Sequence, residues 1–275
     1  MCGIVGILGR EPVAEQMVDA LKRLEYRGYD SAGVATLEGT HLERRRAEGK
    51  LRNLEARLQA SPLSGHTGIG HTRWATHGKP TESNAHPHAT ARVAVVHNGI
   101  IENFRELREA LQKKGTVFKT EADTEIVLHL VDTLLKQGIN PIEAVKATLS
   151  QLRGAFALGF IFAGEHDLMI GARNGPPLAI GYGEGEMYLG SDSIALGPFT
   201  DTIAYLEDGD WVVLTHNSAT IYDKNDAIVQ RETHKHSPAA AMVDKANYRH
   251  FMAKEIHEQP EVTGHTLARY IDMAT

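Results

Sequence analysis

The chain has one cysteine, Cys2, among 275 residues, so it cannot form an internal disulfide framework of the kind that staples small secreted folds. No stretch approaches the roughly 18 apolar residues of a membrane span, and the N-terminal residues lack a charged segment followed by a long apolar run. A cytoplasmic protein without a membrane association is therefore expected. A basic excess is also missing: net charge is −6 with the signs interspersed, and nucleic acid is not an expected partner. The one basic cluster, Arg44-Arg45-Arg46, reads as a solvated strand edge. Gly181, Gly183 and Gly185 precede a strand instead of a helix, and Gly78-Lys79-Pro80-Thr81 lacks the spacing of a phosphate loop. Neither a nucleotide nor any other cofactor is expected. What is present, 42% hydrophobic and 23% charged residues, suffices to bury one large core or two small ones.

Alternating apolar residues and β-branched content predict strands near 3–8, 32–38, 66–72, 92–97, 154–162, 167–172, 186–190 and 210–215. Apolar residues at spacings of three and four predict helices near 12–25, through Leu51, Leu54 and Leu58, through Phe104, Leu107 and Leu111, and through Ile126, Leu130 and Leu134. Pro141 opens one more. Strands outnumber helices and cluster late, which implies an α+β fold in which sheets pack together under helices. Residues 233–246 read as a connector. Beyond them Tyr248, Phe251, Met252 and Ile256 stripe a helix that Pro260 is expected to stop. This divides the chain into a domain over 1–240 and a helix and linker over 241–275. The stripe suits either packing within the same domain or docking onto a second domain absent from this chain, and the chain's end at Thr275 without a closing element favours a fragment.

Cys2 follows the initiator methionine in Met1-Cys2-Gly3-Ile4-Val5-Gly6. Removal of Met1 would place a thiol and a free α-amine on one residue. An α-amine, with a pKa of about 7.7–8.0, can accept the thiol proton near neutrality, and this pairing is a known way to activate a nucleophile. A small buried residue opening a strand accounts for Cys2 equally well.

Three further motifs hold polar groups at element ends. Arg73-Trp74-Ala75-Thr76-His77-Gly78 follows a strand, where ligand contacts concentrate, and an arginine there can grip a carboxylate through two parallel hydrogen bonds. His97-Asn98-Gly99 closes an apolar strand. Asn-Gly is a hairpin signal, yet its side-chain amide and glycine N–H also suit an oxyanion hole. Asp123 is placed to cap the helix that follows, and the same carboxylate could meet an incoming ammonium.

Taken in order and spacing, Cys2-Gly3-Ile4-Val5-Gly6, Glu25-Tyr26-Arg27-Gly28-Tyr29-Asp30-Ser31-Ala32-Gly33, Gly70-His71-Thr72-Arg73-Trp74-Ala75-Thr76-His77-Gly78, Asn84-Ala85-His86-Pro87-His88, His97-Asn98-Gly99-Ile100-Ile101-Glu102-Asn103 and Tyr248-Arg249-His250-Phe251-Met252 resemble the glutaminase domain of the N-terminal-nucleophile, class II glutamine amidotransferases. Within that family they resemble the branch that aminates fructose 6-phosphate. The resemblance implies a four-layer αββα sandwich and hydrolysis of L-glutamine through a Cys2 glutamyl thioester. It implies that Asn98 and the Gly99 N–H stabilise the oxyanion, and that Arg27 and Gly28 border the nucleophile. Arg73 would hold the substrate α-carboxylate and Asp123 its α-ammonium, with Thr76, His77 and His86 completing the pocket and substrate-binding Trp74 on the loop that closes over glutamine. It further implies a sugar-isomerase domain in the parent chain and allows a homodimer of the full-length enzyme.

Two kinds of alternative stand beside this. Amidotransferases that use phosphoribosyl pyrophosphate or aspartate also begin Cys-Gly-Ile, although the Arg-Gly-Tyr-Asp-Ser-Ala-Gly run and the Arg-Trp-Ala-Thr-His-Gly loop favour the sugar branch. Fifteen histidines suggest a non-catalytic metal binder, but His71, His77, His86, His88 and His97 lack a compact ligand spacing, so no metal site is expected. A glutamine-binding relative without chemistry is opposed by the intact Cys2, Asn98 and Gly99.

Overall fold

A computed structural model describes residues 2–74, 81–235 and 251–270, apart from the side chains of Arg27 and of several residues in the last helix. The strands are β1 (Gly3–Leu8), β2 (Ser31–Glu38), β3 (His41–Glu48), β4 (Thr67–Arg73), β5 (His88–Ala89), β6 (Val93–Ile101), β7 (Gly154–Phe162), β8 (Met169–Asn174), β9 (Ala179–Tyr182), β10 (Met187–Gly190), β11 (Thr202–Tyr205), β12 (Trp211–Thr215), β13 (Ser218–Tyr222), β14 (Ile228–Val229) and β15 (Thr233–Lys235). The helices are α1 (Ala14–Lys22), α2 (Leu51–Ala60), α3 (Phe104–Lys113), α4 (Thr124–Lys136), α5 (Pro141–Leu149), α6 (Ser193–Leu196) and α7 (Phe251–Tyr270). All recorded strand pairs are antiparallel, in one sheet ordered β15-β11-β9-β10-β1-β4-β2-β3 and a second ordered β14-β13-β12-β8-β7-β6-β5. The chain divides into two compact units, Met1–Pro238 and Ala239–Thr275.

Strand alternation sorts the core into three layers. In β1, Val5 and Ile7 face Met17 and Leu21 of α1 and Leu54 of α2. Ile4 and Leu8 point the other way, into a layer shared with Ile69 of β4, Ala94 and Val96 of β6 and Ile161 of β7. The opposite faces of β6 and β7, with Val93, Val95, Leu158 and Phe160, meet Val127, Val131 and Val145 on α4 and α5. Helix, sheet, sheet and helix thus stack as an αββα sandwich. Each large apolar side chain buried between layers is worth about 1.5–3 kcal/mol.

The eight predicted strands and five predicted helices of the first unit are present, with small shifts at their ends. Four expectations need correcting. β6 does not end before Asn98: it continues through Asn98 and Gly99 to Ile101, paired along its length with β7. Gly99 makes this possible, because its φ is +116° and a Cβ there would lie 2.0 Å from the Ala155 carbonyl oxygen. The arginine triplet on β3 is not simply solvated: Arg44 donates to Pro87 O, Arg46 to Ser83 O and Ala85 O, and Arg45 to Ser61 O. The edge strand holds the 83–87 segment through the Ser83, Ala85 and Pro87 carbonyls. The stretch 233–246 is not connector from its start, since Thr233–Lys235 pairs with β11. Finally, α7 runs through Pro260. The proline removes one amide donor, but the turns on both sides continue. Tyr248 and residues 236–246 lie outside the described residues.

Candidate active site

Alternation also brings the polar residues together. Cys2 precedes Ile4 by one pleat, His71 and Arg73 follow Ile69 on β4, and Asn98 follows Val96 on β6. The inter-sheet layer therefore turns from apolar to polar within one step along three strands, two of one sheet and one of the other. His71 is fully buried, and Arg73 and Asn98 are 5% and 6% exposed. Cys2, Arg73, Trp74, His86, His97, Gly99, Ala122, Asp123 and Thr124 line one pocket at that end of the sandwich.

Cys2 Sγ lies 3.2 Å from the Trp74 N–H, which donates to it, and 3.5 Å from Trp74 O. Gly28 keeps this peptide in place. Its backbone is extended, and a Cβ would come within 2.7 Å of Arg73 C and 2.9 Å of Trp74 N. The neighbouring Asp30 N–H donates to Arg73 O at 3.0 Å. Glycine is needed here for close approach. Burial raises the Cys2 thiol above its usual pKa, against a smaller lowering from the Trp74 N–H. The resting group is a thiol, and attack requires a base. Burial also draws the Arg73 guanidinium below its ordinary value, while Cys2, Asp30 and Asp123 oppose that shift.

The Asn98 amide donates from Nδ2 to the Cys2 carbonyl at 3.1 Å. An amide nitrogen carries two hydrogens, so one remains for a developing oxyanion. Asp123 combines the two roles its position allowed. One oxygen caps α4 by accepting from Thr124 N at 3.0 Å, the other accepts from Ile101 N at 2.9 Å, and the carboxylate faces the pocket. Trp74 is 44% exposed and meets Tyr29 edge to face at 5.6 Å, forming an aromatic lip.

Cys2, Gly28, Arg73, Trp74, His86, Asn98, Gly99 and Asp123 thus converge. Thr76, His77 and the Arg27 side chain lie outside the described residues. Sequence reasoning assigned no role to His71, His97 or Thr124, which form a buried hydrogen-bonded group with His86. His71 and His97 stood inside quoted motifs, but only the contact between sheets gives them partners. The Arg44 and Arg46 contacts were missed for the same reason. Among the described residues, no group of three or more His, Cys, Asp or Glu is arranged to hold a metal.

Residues 71–197 match a family described as "Glutamine amidotransferase domain". Across its full length the chain is 82% identical to a glutamine–fructose-6-phosphate aminotransferase (isomerizing) from Bradyrhizobium diazoefficiens and 64% identical to one from Brucella abortus. It covers 45% of each, so it spans about half the length of these relatives. The chain belongs to the glutamine amidotransferases. This amidotransferase also resembles a solved structure of the glutamine phosphoribosylpyrophosphate amidotransferase from B. subtilis, with a TM-score of 0.71 and 26% identity, over 82% of this chain and 50% of the other. Its αββα sandwich is that of the N-terminal-nucleophile amidotransferases, as the sequence led us to expect. Within the matched segment of the amidotransferase lie His71, Arg73, His86, Asn98, Gly99 and Asp123; Cys2 and Gly28 precede it.

Proposed function

We propose that the chain hydrolyses L-glutamine to glutamate and ammonia, as the glutaminase half of a cytoplasmic enzyme that makes glucosamine 6-phosphate from fructose 6-phosphate. The observation that carries this reading is the placement of the Cys2 thiol, the Asn98 amide, Gly99, Arg73 and Asp123 around one pocket. After loss of Met1, the Cys2 α-amine accepts the thiol proton, through a water, as Sγ bonds to the glutamine amide carbon. The Asn98 amide and the Gly99 N–H take the resulting oxyanion, each such donor being worth about 3–4 kcal/mol. Collapse breaks the C–N bond, and the α-ammonium returns its proton to the departing ammonia. Water then attacks the thioester with the amine again as base, releasing glutamate and the thiol.

In this reading Arg73 binds the substrate α-carboxylate and Asp123 its α-ammonium, both lining the pocket that Cys2 opens onto. His86, Thr76 and His77 complete the pocket, and Arg27 and Gly28 border Cys2. Residues 1–240 are the glutaminase, and 241–275 are a helix and linker toward a sugar-isomerase domain, in a parent enzyme that is a homodimer. The sugar-phosphate acceptor is supported by 82% identity to a protein of that name, against 26% to the phosphoribosylpyrophosphate enzyme. The test is intact mass before and after exposure to an electrophilic glutamine analogue, with Cys2→Ala as control. Loss of Met1 and one adduct that the control lacks are expected. A retained Met1, or an equal adduct on the control, would overturn the nucleophile assignment.

A further inference from the structure

Behind Asn98, four polar side chains from both sheets, from the segment before β5 and from α4 are joined in series, and their hydrogen-bond directions can be worked out from Asn98 as far as Thr124. The Cys2 carbonyl can only accept, so the atom 3.1 Å from it is the Asn98 nitrogen, and Asn98 Oδ1 faces the other way. Oδ1 lies 3.0 Å from His71 Nε2, and that nitrogen is also 3.0 Å from the His97 carbonyl oxygen. Two acceptors on one ring nitrogen require it to carry the hydrogen. His86 Nδ1, 3.3 Å from the same Nε2, must then present its lone pair and hold its own hydrogen on Nε2. His86 Nε2 donates to Thr124 Oγ1 at 3.0 Å, and the same hydroxyl lies 3.0 Å from His97 Nδ1.

We infer that His71, His86 and Thr124 are positioning residues whose one-way hydrogen-bond relay holds the Asn98 amide with its N–H groups toward Cys2. This rests on the reading of Asn98 as an oxyanion donor. Reversing any link between Asn98 and Thr124 would set two donors or two acceptors face to face. Protonating His86 would do so directly, because its added hydrogen would point at the His71 Nε2–H. Burial opposes that charge: His71 is lowered to about 3 and His86 well below the ordinary imidazole value. The energetic logic is that of preorganisation. An amide already turned toward the reacting carbon spends no free energy on reorientation when the oxyanion forms, and a buried network with a single consistent direction resists rotation.

The relay requires His71 and His86 to be neutral and both in the Nε2–H form. In ¹⁵N-histidine NMR spectra of the chain at pH 7, both imidazoles are expected in that form. An Nδ1–H tautomer or an imidazolium at either would overturn the relay, whatever the activity. Steady-state glutamine hydrolysis supplies the second test. Thr124→Val keeps shape but removes the hydroxyl, and should lower kcat by about 10–100-fold, the scale seen when the partners that orient metal-ligating side chains are removed, with KM little changed. Thr124→Ser should restore most of the rate. Asn98→Ala separates the two levels of inference. If it loses activity while Thr124→Val does not, the relay is wrong and the oxyanion reading stands. If Asn98→Ala keeps full activity, both fall.

Discussion

Cys2 is controlled by backbone more than by neighbouring charge. Its thiol receives the Trp74 N–H, and that peptide is held where it is because Gly28 has no Cβ to push against it. Gly28→Ala would force the Arg73–Trp74 peptide outward by a large fraction of an ångström, moving both the sulfur contact and the guanidinium proposed to bind the substrate carboxylate. Misplacement of about 1 Å can cost about 100-fold in rate. We therefore expect Gly28→Ala to lower kcat/KM for glutamine by that order while the protein still folds, as checked by steady-state kinetics beside circular dichroism. Wild-type kinetics in a folded Gly28→Ala protein would show that the close approach is not needed.

At the scale of elements, the site depends on an edge strand that contributes no group to the pocket. β3 carries Arg44 and Arg46, which hold the carbonyls of 83–87 and so present His86 to the interior. Gly33 on the adjacent β2 lets the same segment approach, since a Cβ there would lie 2.2 Å from His86 O. Burial pulls Arg46 down to about 10, which still leaves it charged at neutral pH. Hydrogen bonds from a charged group are worth about 1.5–3 kcal/mol. Arg46→Met retains most of the packing and removes both donors. It should reduce unfolding free energy by about that amount and lower the thermal midpoint, as denaturant melts would measure; an unchanged midpoint would assign the 83–87 placement to β2 alone.

Across the whole molecule, the fold keeps several histidines neutral inside it. His71 and His88 are lowered to about 3, and His86 well below its ordinary value, chiefly by burial; Arg46 and Arg44 also disfavour charge on His88. In the unfolded chain these imidazoles titrate near 6.5. Below that pH the unfolded state binds protons that the folded state refuses, so stability falls as pH drops from about 6.5 toward 3, by about 1.4 kcal/mol per pH unit for each such histidine. Glu125, lowered to about 2 by the His129 ring 3.4 Å away and by hydrogen bonds from Thr120 and Lys119, which together outweigh its burial, adds to the loss below about pH 4.5. Chemical-denaturation stability measured from pH 7.5 to 4.5 should decline steeply below pH 6.5, and His88→Gln should shallow the slope by one proton. A flat profile would mean that these histidines are not held neutral.

The sequence by itself determined eight of the fifteen described strands, the five longer helices of the first unit, the α+β class and the identity of most groups around the pocket. Local signals suffice for these: alternation marks β1 and β6, three- and four-residue spacing marks α1 and α4, and Cys2, Arg73, Asn98 and Asp123 sit in short motifs at element ends. The tertiary structure decided what depends on contacts distant in the chain. Asn98 reaches the Cys2 carbonyl across 96 residues, and His71 meets His97 only because the two sheets face each other. The continuation of β6 through Asn98-Gly99, the tie from Arg46 to Ala85 and the roles of Thr124 and His71 were equally invisible. A side chain's neighbours in the sequence specify its pleat and turn, whereas its hydrogen-bond partners are chosen by which strands the core packs together.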